Sequence, residues 1–193
     1  MHASVLAWVR TAVTAADVAG RRVLEVGAFN VNGSVRPIVE AHGPAVYLGV
    51  DQADGPGVDQ VVACDELAAT FGPGSWDVVI STEMLEHVQD WQGSVAALCD
   101  VLAPGGLLVV TTRSPGFPYH PFPIDAWRYT PFALAQLLLK ARLALRVVIP
   151  DADPRSPGVF AIASKPHGWV APWAGSPLAD VFAGVDVRDM VAP

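Results

Sequence analysis

The chain of 193 residues carries 12 basic and 19 acidic residues, which give a net charge of −7, and 52% of its residues are hydrophobic. This length fits one domain with a substantial buried core, so we expect a single domain over residues 1–193. Because the basic residues are few and scattered, neither a long nucleic acid nor an anionic membrane surface is an expected partner.

The predicted location is the cytoplasm. Apolar stretches are interrupted by glycine, proline or charge well before the ~18 residues that span a bilayer. Residues 1–20 read as a helix that contains Arg10, a pattern that does not fit a signal peptide. Cys64 and Cys99 are too few and too far apart for a disulfide framework, so we expect two buried thiols.

Short runs rich in valine and leucine alternate with helical patterns along the chain. Strands are predicted at residues 22–26, 45–50, 76–80 and 107–112, followed by a helix over 131–145. Residues 145–149 and 159–164 read as an antiparallel strand pair, and residues 166–193 as an irregular tail packed on the domain or on a second copy in a homodimer. The alternation predicts a doubly wound α/β domain with a mostly parallel sheet, which binds ligands beyond the carboxyl ends of its strands.

Acids and a glycine follow the first strands. Glu25 and Gly27 end the first strand, where the backbone of the next helix start can approach a nucleoside-type ligand. Asp51 ends the second strand, where it either accepts hydrogen bonds from a ribose diol or serves as a turn residue. Together with Ala63-Cys64-Asp65 and residues 102–110, these segments resemble the class I S-adenosylmethionine-dependent methyltransferases over about residues 23–165.

This resemblance implies a seven-stranded, Rossmann-like methyltransferase fold and an enzyme that uses S-adenosylmethionine. In the family, the acid and glycine that match Glu25 and Gly27 contact the methionine end of the cofactor. The acid that matches Asp51 holds the ribose, and the one that matches Asp65 meets the adenine.

The loop after the first strand departs from the family pattern, because Phe29 and Val31 stand where the family has glycines. Neither side chain adopts a positive φ cheaply. Asn30, Asn32 and Gly33 are therefore expected to supply the turn, since asparagine tolerates left-handed conformations and hydrogen-bonds the chain locally. The same departure breaks the dinucleotide fingerprint and makes an NAD-dependent oxidoreductase the less favoured alternative.

Glu83, Glu86 and His87 follow the strand at 76–80. On a helix, positions three and four apart share a face, so these side chains are predicted to converge and to suit Mg²⁺ or Mn²⁺. The alternative is that the two carboxylates only complement a helix dipole. The segment is similar to the metal-binding segment of ubiquinone-pathway O-methyltransferases and small-RNA 2′-O-methyltransferases, which implies Glu83, Glu86, His87 and the later His120 as ligands.

The proline-rich loop over residues 114–130 is predicted to cover the cleft. Its aromatic side chains are expected to form a wall against the acceptor, with polar contacts from His120, Asp125 and Arg128. The alternative is that Asp125 and Arg128 pair with each other while the aromatic side chains cover the core. The aromatic residues are Phe117, Tyr119, Phe122, Trp127 and Tyr129.

The leading hypothesis is an O-methyltransferase that transfers the methyl group of S-adenosylmethionine to an acceptor hydroxyl. A divalent cation would lower the pKa of this hydroxyl, and His120 or His87 would take the proton where it is not a ligand. The expected acceptor offers adjacent oxygens, with a sugar or small glycoside as first choice and a phenolic metabolite as second. A noncatalytic, methyltransferase-like cofactor-binding or partner subunit is the alternative.

Overall fold

The structure is a computed structural model that describes residues 1–121 and 123–190. The strands of its main sheet are β1 (Arg22–Val26), β2 (Val46–Asp51), β3 (Gln60–Val61), β4 (Trp76–Thr82), β5 (Leu102–Arg113), β7 (Ala144–Pro150) and β8 (Gly158–Ser164), and a separate pair consists of β6 (Trp127–Arg128) and β9 (Arg188–Asp189). The helices are α1 (Ala3–Ala12), α2 (Ala15–Val18), α3 (Arg36–Glu40), α4 (Leu67–Phe71), α5 (Trp91–Val101), α6 (Pro131–Lys140) and α7 (Leu178–Val181). Short 3-10 turns cover Cys64–Glu66 and Leu85–His87.

The main sheet has the strand order β3-β2-β1-β4-β5-β8-β7. Strands β1 to β5 run parallel, whereas β8 is antiparallel to both β5 and β7. The predicted fold class is therefore confirmed: a doubly wound, mostly parallel seven-stranded sheet with an antiparallel pair at its C-terminal edge. Within the described residues, no helix combines the length and apolar character needed to cross a membrane.

The central strands are covered on both faces. Val78, Val79 and Ile80 of β4 are all fully buried, as expected for a parallel strand between two helical layers. Alternate side chains enter two separate clusters, with Val79 beside α5 and α6 and its neighbour Val78 beside α1 and α3. This packing holds the carboxyl ends of β1, β2, β4 and β5 at one edge, where the predicted site residues lie.

The predicted helix over residues 131–145 is too long, because α6 ends at Lys140. Arg142 adopts a left-handed conformation with φ 58°. The N–H of Leu143 then donates to the oxygen of Leu138 at 3.0 Å, and that of Arg142 to Leu139 at 2.9 Å. These bonds form a Schellman-type ending, which redirects the chain into β7 at Ala144.

The tail packs on its own domain. Phe182 is buried, and its ring centroid lies 5.5 Å from that of Trp91 and 6.2 Å from that of Trp173. The indole of Trp169 donates to the oxygen of Ala141 at 2.8 Å. Strand β9 adds regular structure to a segment predicted to be irregular, because it pairs with β6 far away in the chain.

Lys165 joins the end of β8 to the end of α5. Its buried ammonium group donates to the oxygens of Cys99 at 2.7 Å and Leu102 at 2.6 Å, and it lies 3.9 Å from the ring centroid of Trp169. A buried cation that satisfies two carbonyl groups at a helix end stabilises the junction between α5 and β5.

Lys165→Met keeps most of the stem of this side chain but leaves both carbonyls without their donor. We expect a loss of about 2 kcal/mol in the free energy of unfolding, measured by urea denaturation. The only other lysine, Lys140 on α6, supplies the control Lys140→Met, for which a change below about 0.5 kcal/mol is expected. Equal effects of the two substitutions would contradict a stabilising role for the Lys165 hydrogen bonds.

Candidate active site

The turn after β1 requires glycine at position 27. Gly27 has φ 83°, and a Cβ added there would lie 2.8 Å from the Cβ of Met84. The N–H of Gly27 donates to the oxygen of Val50 at 2.9 Å. The loop that follows β1 is thus pressed against the segment that follows β4, which brings the predicted cofactor end next to the predicted metal end.

Asn30 closes the next turn through its side chain, because Oδ1 accepts the N–H of Gly33 at 2.8 Å. The N–H of Asn30 donates to the oxygen of Pro56 at 2.7 Å. Phe29 and Val31 are not among the residues with positive φ. The loop therefore turns without the left-handed conformations that its missing glycines would supply, and Asn30 and Gly33 form the turn as predicted.

Asp51 and Asp65 have different surroundings. The carboxylate of Asp51 accepts the N–H of Phe29 at 3.2 Å and that of Ala53 at 3.1 Å, which ties the β1 loop to the end of β2. Asp65 is exposed and lines a cavity of about 380 Å³ that is also bordered by Gly93 and Trp173. Contacts of these two carboxylates with ribose and adenine stay predictions.

Glu25 lies buried beneath the β1 loop, where it is 1% exposed. The hydroxyl of Tyr47 donates to its Oε2 at 2.6 Å. Burial raises the pKa of this carboxyl group to about 7 despite that hydrogen bond and the nearby Arg36. Arg36 in turn lies over the Tyr47 ring, with its guanidinium carbon 4.7 Å from the ring centroid. Glu25 thus belongs to a buried polar network at the base of the loop.

Glu83 departs from the predicted helical geometry, which is wrong here. The residue adopts a left-handed conformation with φ 54°, and the turn that follows begins only at Leu85. Its carboxylate pairs with the buried guanidinium of Arg113 and accepts the backbone N–H of His2 at 2.8 Å. A buried arginine needs a counter-charge, so this long-range pairing holds Glu83 away from the other three predicted ligands.

Glu86, His87 and His120 do come together. Each offers one ligand atom, and these atoms lie within 4.8 Å of one another. Glu86 is fully buried, and the hydroxyl of Thr112 donates to its Oε2 at 2.8 Å. Its Oε1 has no hydrogen-bond partner among the described residues, and burial raises the pKa of the carboxyl group to about 7. A buried carboxylate with one unpaired oxygen, together with two imidazoles, offers the kinds of donor atom that could hold a cation.

Hydrogen bonds orient both imidazoles of this trio. Nδ1 of His87 bonds to the oxygen of Ile124, which can only accept, so Nδ1 carries the proton and Nε2 keeps its lone pair. Nδ1 of His120 lies 3.2 Å from the carboxylate of Asp125, which leaves its Nε2 free in the same way. Burial lowers the pKa of both histidines. Partners of this kind are typical of histidines that bind metals.

The loop over residues 114–130 is bound to the turn that carries Glu86 and His87. The N–H of Ala126 donates to the oxygen of Glu86 at 2.8 Å, and the indole of Trp127 donates to that of Val88 at 2.8 Å. The hydroxyl of Tyr129 donates to the oxygen of Leu85 at 3.1 Å. Loop and turn therefore form one unit, with Trp127 and Tyr129 in supporting positions.

Asp125 and Arg128 pair with each other, as the alternative sequence interpretation predicted. The guanidinium donates two hydrogen bonds to the carboxylate, and both side chains are buried. Despite its burial, the hydrogen bonds from Arg128 hold the pKa of Asp125 at about 2. Because both side chains are buried and bonded to each other, they support His120 and are not positioned for the direct acceptor contacts that the sequence predicted. Tyr119 is 40% exposed and its contact with an acceptor stays a prediction, while Phe122 lies outside the described residues.

Three contributors to the site were missed from the sequence: His2, Thr112 and Arg113. Each contacts a predicted ligand across a large separation in the chain. The polar end of β5, where Thr-Thr-Arg follows a run of aliphatic residues, indicates site residues in the sequence, since ligands lie beyond the carboxyl ends of parallel strands.

Comparisons of the sequence and of the fold with known proteins identify a family and solved structures that resemble this chain. The profile of the family described as "Methyltransferase domain" matches residues 3–145, and the chain belongs to this family. A crystal structure of an S-adenosylmethionine-dependent methyltransferase from Mesorhizobium loti superposes with a TM-score of 0.63 at 19% identity, covering 84% of this chain and 98% of that one. The chain thus contains a methyltransferase domain, and this membership favours a methyltransferase over an NAD-dependent oxidoreductase.

The curated relatives carry a narrower name. "Ubiquinone biosynthesis O-methyltransferase" of Saccharophagus degradans is 32% identical over 110 residues, covering 50% of this chain and 45% of the relative. The protein of the same name from Bordetella bronchiseptica is 36% identical over 121 residues, covering 55% of this chain and 48% of the relative. The chain spans about half the length of the curated relatives it matches.

Because the carboxyl group of Glu25 is buried, we expect the free energy of unfolding to depend on pH. Because burial raises its folded-state pKa from 4.5 to about 7, folding favours the protonated form, and stability falls as pH rises from about 4.5 to about 7. Glu25→Gln stays neutral and still accepts the Tyr47 hydrogen bond. Above pH 7 we expect the free energy of unfolding of the variant to exceed that of the wild type by up to about 3 kcal/mol, measured by urea denaturation at several pH values.

Below about pH 4.5 the two proteins should unfold at nearly the same urea concentration. Glu66→Gln, at an exposed glutamate that does not contribute to the Glu25 shift, is the matched control and should show no such divergence. Parallel pH profiles for Glu25→Gln and the wild type would contradict the raised pKa.

Proposed function

We propose that this protein is an S-adenosylmethionine-dependent O-methyltransferase whose acceptor is held by a divalent cation at Glu86, His87 and His120. The observation that carries the proposal is the partnerless, buried Oε1 of Glu86 beside two imidazoles whose Nε2 atoms are left free. Family membership supports the methyltransferase activity, and the names of the curated relatives support oxygen as the methyl acceptor.

The donor set fits a cation. One carboxylate oxygen and two imidazole nitrogens leave further coordination positions for water or acceptor oxygens. Imidazole ligands favour a first-row transition ion such as Mn²⁺ over Mg²⁺, which prefers oxygen. When bound, the cation would supply Lewis acidity that lowers the pKa of the acceptor hydroxyl.

The chain itself orients the reaction. Thr112 fixes one oxygen of Glu86, and Asp125 fixes the ring of His120. Because both imidazoles serve as ligands in this arrangement, the proton of the acceptor hydroxyl, made more acidic by the cation, would pass to solvent water. The tight contact between Gly27 and Met84 supports a short path from the cofactor loop to this hydroxyl, as an in-line methyl transfer requires.

We assign the cofactor to the loop at Gly27, Asn30 and Gly33, with Glu25 at its base, Asp51 toward the ribose and Asp65 toward the adenine. We further propose an acceptor with two adjacent oxygens. The names of the relatives favour a phenolic compound over a sugar diol. The ring of Phe117, 4.8 Å from that of His120, and the exposed Tyr119 offer an aromatic acceptor a surface to pack on.

Calorimetric titration with S-adenosylhomocysteine tests the cofactor assignment. We expect micromolar or tighter binding, about −8 kcal/mol, to the wild-type protein. Asp51→Ala should weaken this binding about tenfold or more because it removes the ribose acceptor. Asp153→Ala, at a half-buried aspartate that follows β7, should leave the binding unchanged. Folded protein that shows no binding would refute the assignment.

Glu86→Gln tests the metal. The substitution keeps the shape of the side chain and the Thr112 contact but removes the anionic ligand, so we expect turnover of a catechol with Mn²⁺ or Mg²⁺ to fall about 100-fold. Affinity for S-adenosylhomocysteine should stay within about twofold of the wild type. The exposed Glu40→Gln is the control.

A sugar diol assayed beside the catechol separates the two acceptor classes. Turnover that survives both a strong chelator and Glu86→Gln would leave the cation without a role.

A further inference from the structure

The C-terminal tail reaches the active site through a strand pair. Strand β9 pairs antiparallel with β6, so that Asp189 faces Trp127 and Arg188 faces Arg128. The N–H of Met190 extends this ladder by donating to the oxygen of Ala126 at 2.7 Å. The partner strand of the tail is therefore part of the loop that covers the candidate site.

Both residues of β6 help to hold two of the candidate metal ligands, His120 and His87, in place. Arg128 binds the carboxylate of Asp125, which in turn accepts the backbone N–H of His120 at 2.8 Å and faces its Nδ1 at 3.2 Å. Trp127 donates to the oxygen of Val88, one residue beyond His87. A displacement of β6 would thus be transmitted to both imidazoles.

The tail is anchored independently of this strand pair. Phe182 is 2% exposed and packs on Trp91 at the start of α5, and Val187 packs against the same core. The indole of Trp173 donates to the carboxylate of Asp100 at 3.2 Å. These contacts hold the tail against α5. The position of β9 therefore does not depend on its pairing with β6. The tail lies beyond residues 3–145, which the family profile matches.

We propose that the tail segment over residues 182–190 is a positioning element of the active site, which holds β6 and thereby orients His120 and His87 toward Glu86. The catalytic consequence rests on the function proposed above, whereas the orientation of His120 does not. Met190→Pro is the direct test, because proline lacks the N–H that bonds to Ala126 while its fixed φ suits an extended chain. Met190→Ala keeps that N–H and is the matched control.

The first readout is nitrogen NMR of the imidazoles without metal or cofactor. The signal of His120, one of five histidines, is assigned by its absence from His120→Asn. We expect the wild type and Met190→Ala to show a proton on Nδ1 of His120, and Met190→Pro to lose this single tautomer. An unchanged His120 signal in Met190→Pro would overturn the proposal, and so would the same loss in Met190→Ala.

The second readout is catalysis. Met190→Pro should lower kcat for a catechol about tenfold while the Kd of S-adenosylhomocysteine, which also verifies folding, stays within about twofold. If Met190→Pro changes the His120 signal but keeps the kcat of the wild type, the catalytic part of the proposal is overturned. A wild type without metal-dependent turnover would instead refute the proposed function and leave the NMR result standing.

Val187→Ala is the milder variant if Met190→Pro fails to fold. It trims an apolar contact of the tail without touching the ladder, so it should shift the His120 signal in the same direction by a smaller amount. No shift in folded Val187→Ala would overturn the proposal.

Discussion

A carboxylate that is buried with only one of its oxygens bonded is the constraint on which the candidate site depends. Glu86 is fully buried, Thr112 satisfies Oε2, and Oε1 has no hydrogen-bond partner among the described residues, while a carboxylate oxygen lies within 4.8 Å of a ring nitrogen of each imidazole. Burying an ionised carboxylate costs several kcal/mol unless a positive group compensates it. A proton or a cation therefore has to neutralise Glu86, and the raised pKa of about 7 expresses the same requirement.

Around this carboxylate, two structural units meet at the carboxyl edge of the sheet. The β1 loop presses against the segment after β4 through Gly27 and Met84, and the loop over residues 114–130 is hydrogen-bonded to the turn at Leu85–His87. The methyl donor and acceptor of the proposed reaction would thus be carried by segments in direct contact. Such preorganisation favours a transfer reaction, because it removes the entropy cost of bringing the groups together.

Much of the fold was predictable because it follows from local patterns. The central strands are runs of valine, leucine and isoleucine, and a strand that is buried on both faces needs such a run. The end of α6 was not predictable, since Arg142 adopts a left-handed conformation that arginine seldom favours. Strand β9 was missed for a different reason: two residues pair with a segment about sixty positions earlier, and no periodicity marks so short a strand.

The sequence by itself determined the fold class, the glycine turn at position 27 and the types of residue available to the site, because periodicity and backbone freedom are local properties. Tertiary structure alone decided which of the candidates converge. Glu83 carries the same carboxylate as Glu86, yet the buried charge of Arg113 and the N–H of His2 hold it elsewhere. His120 lies beside Glu86 with its ring bonded to Asp125, which Arg128 in turn holds. These hydrogen bonds and ion pairs form between segments that the sheet brings together, and spacing along the chain does not encode them.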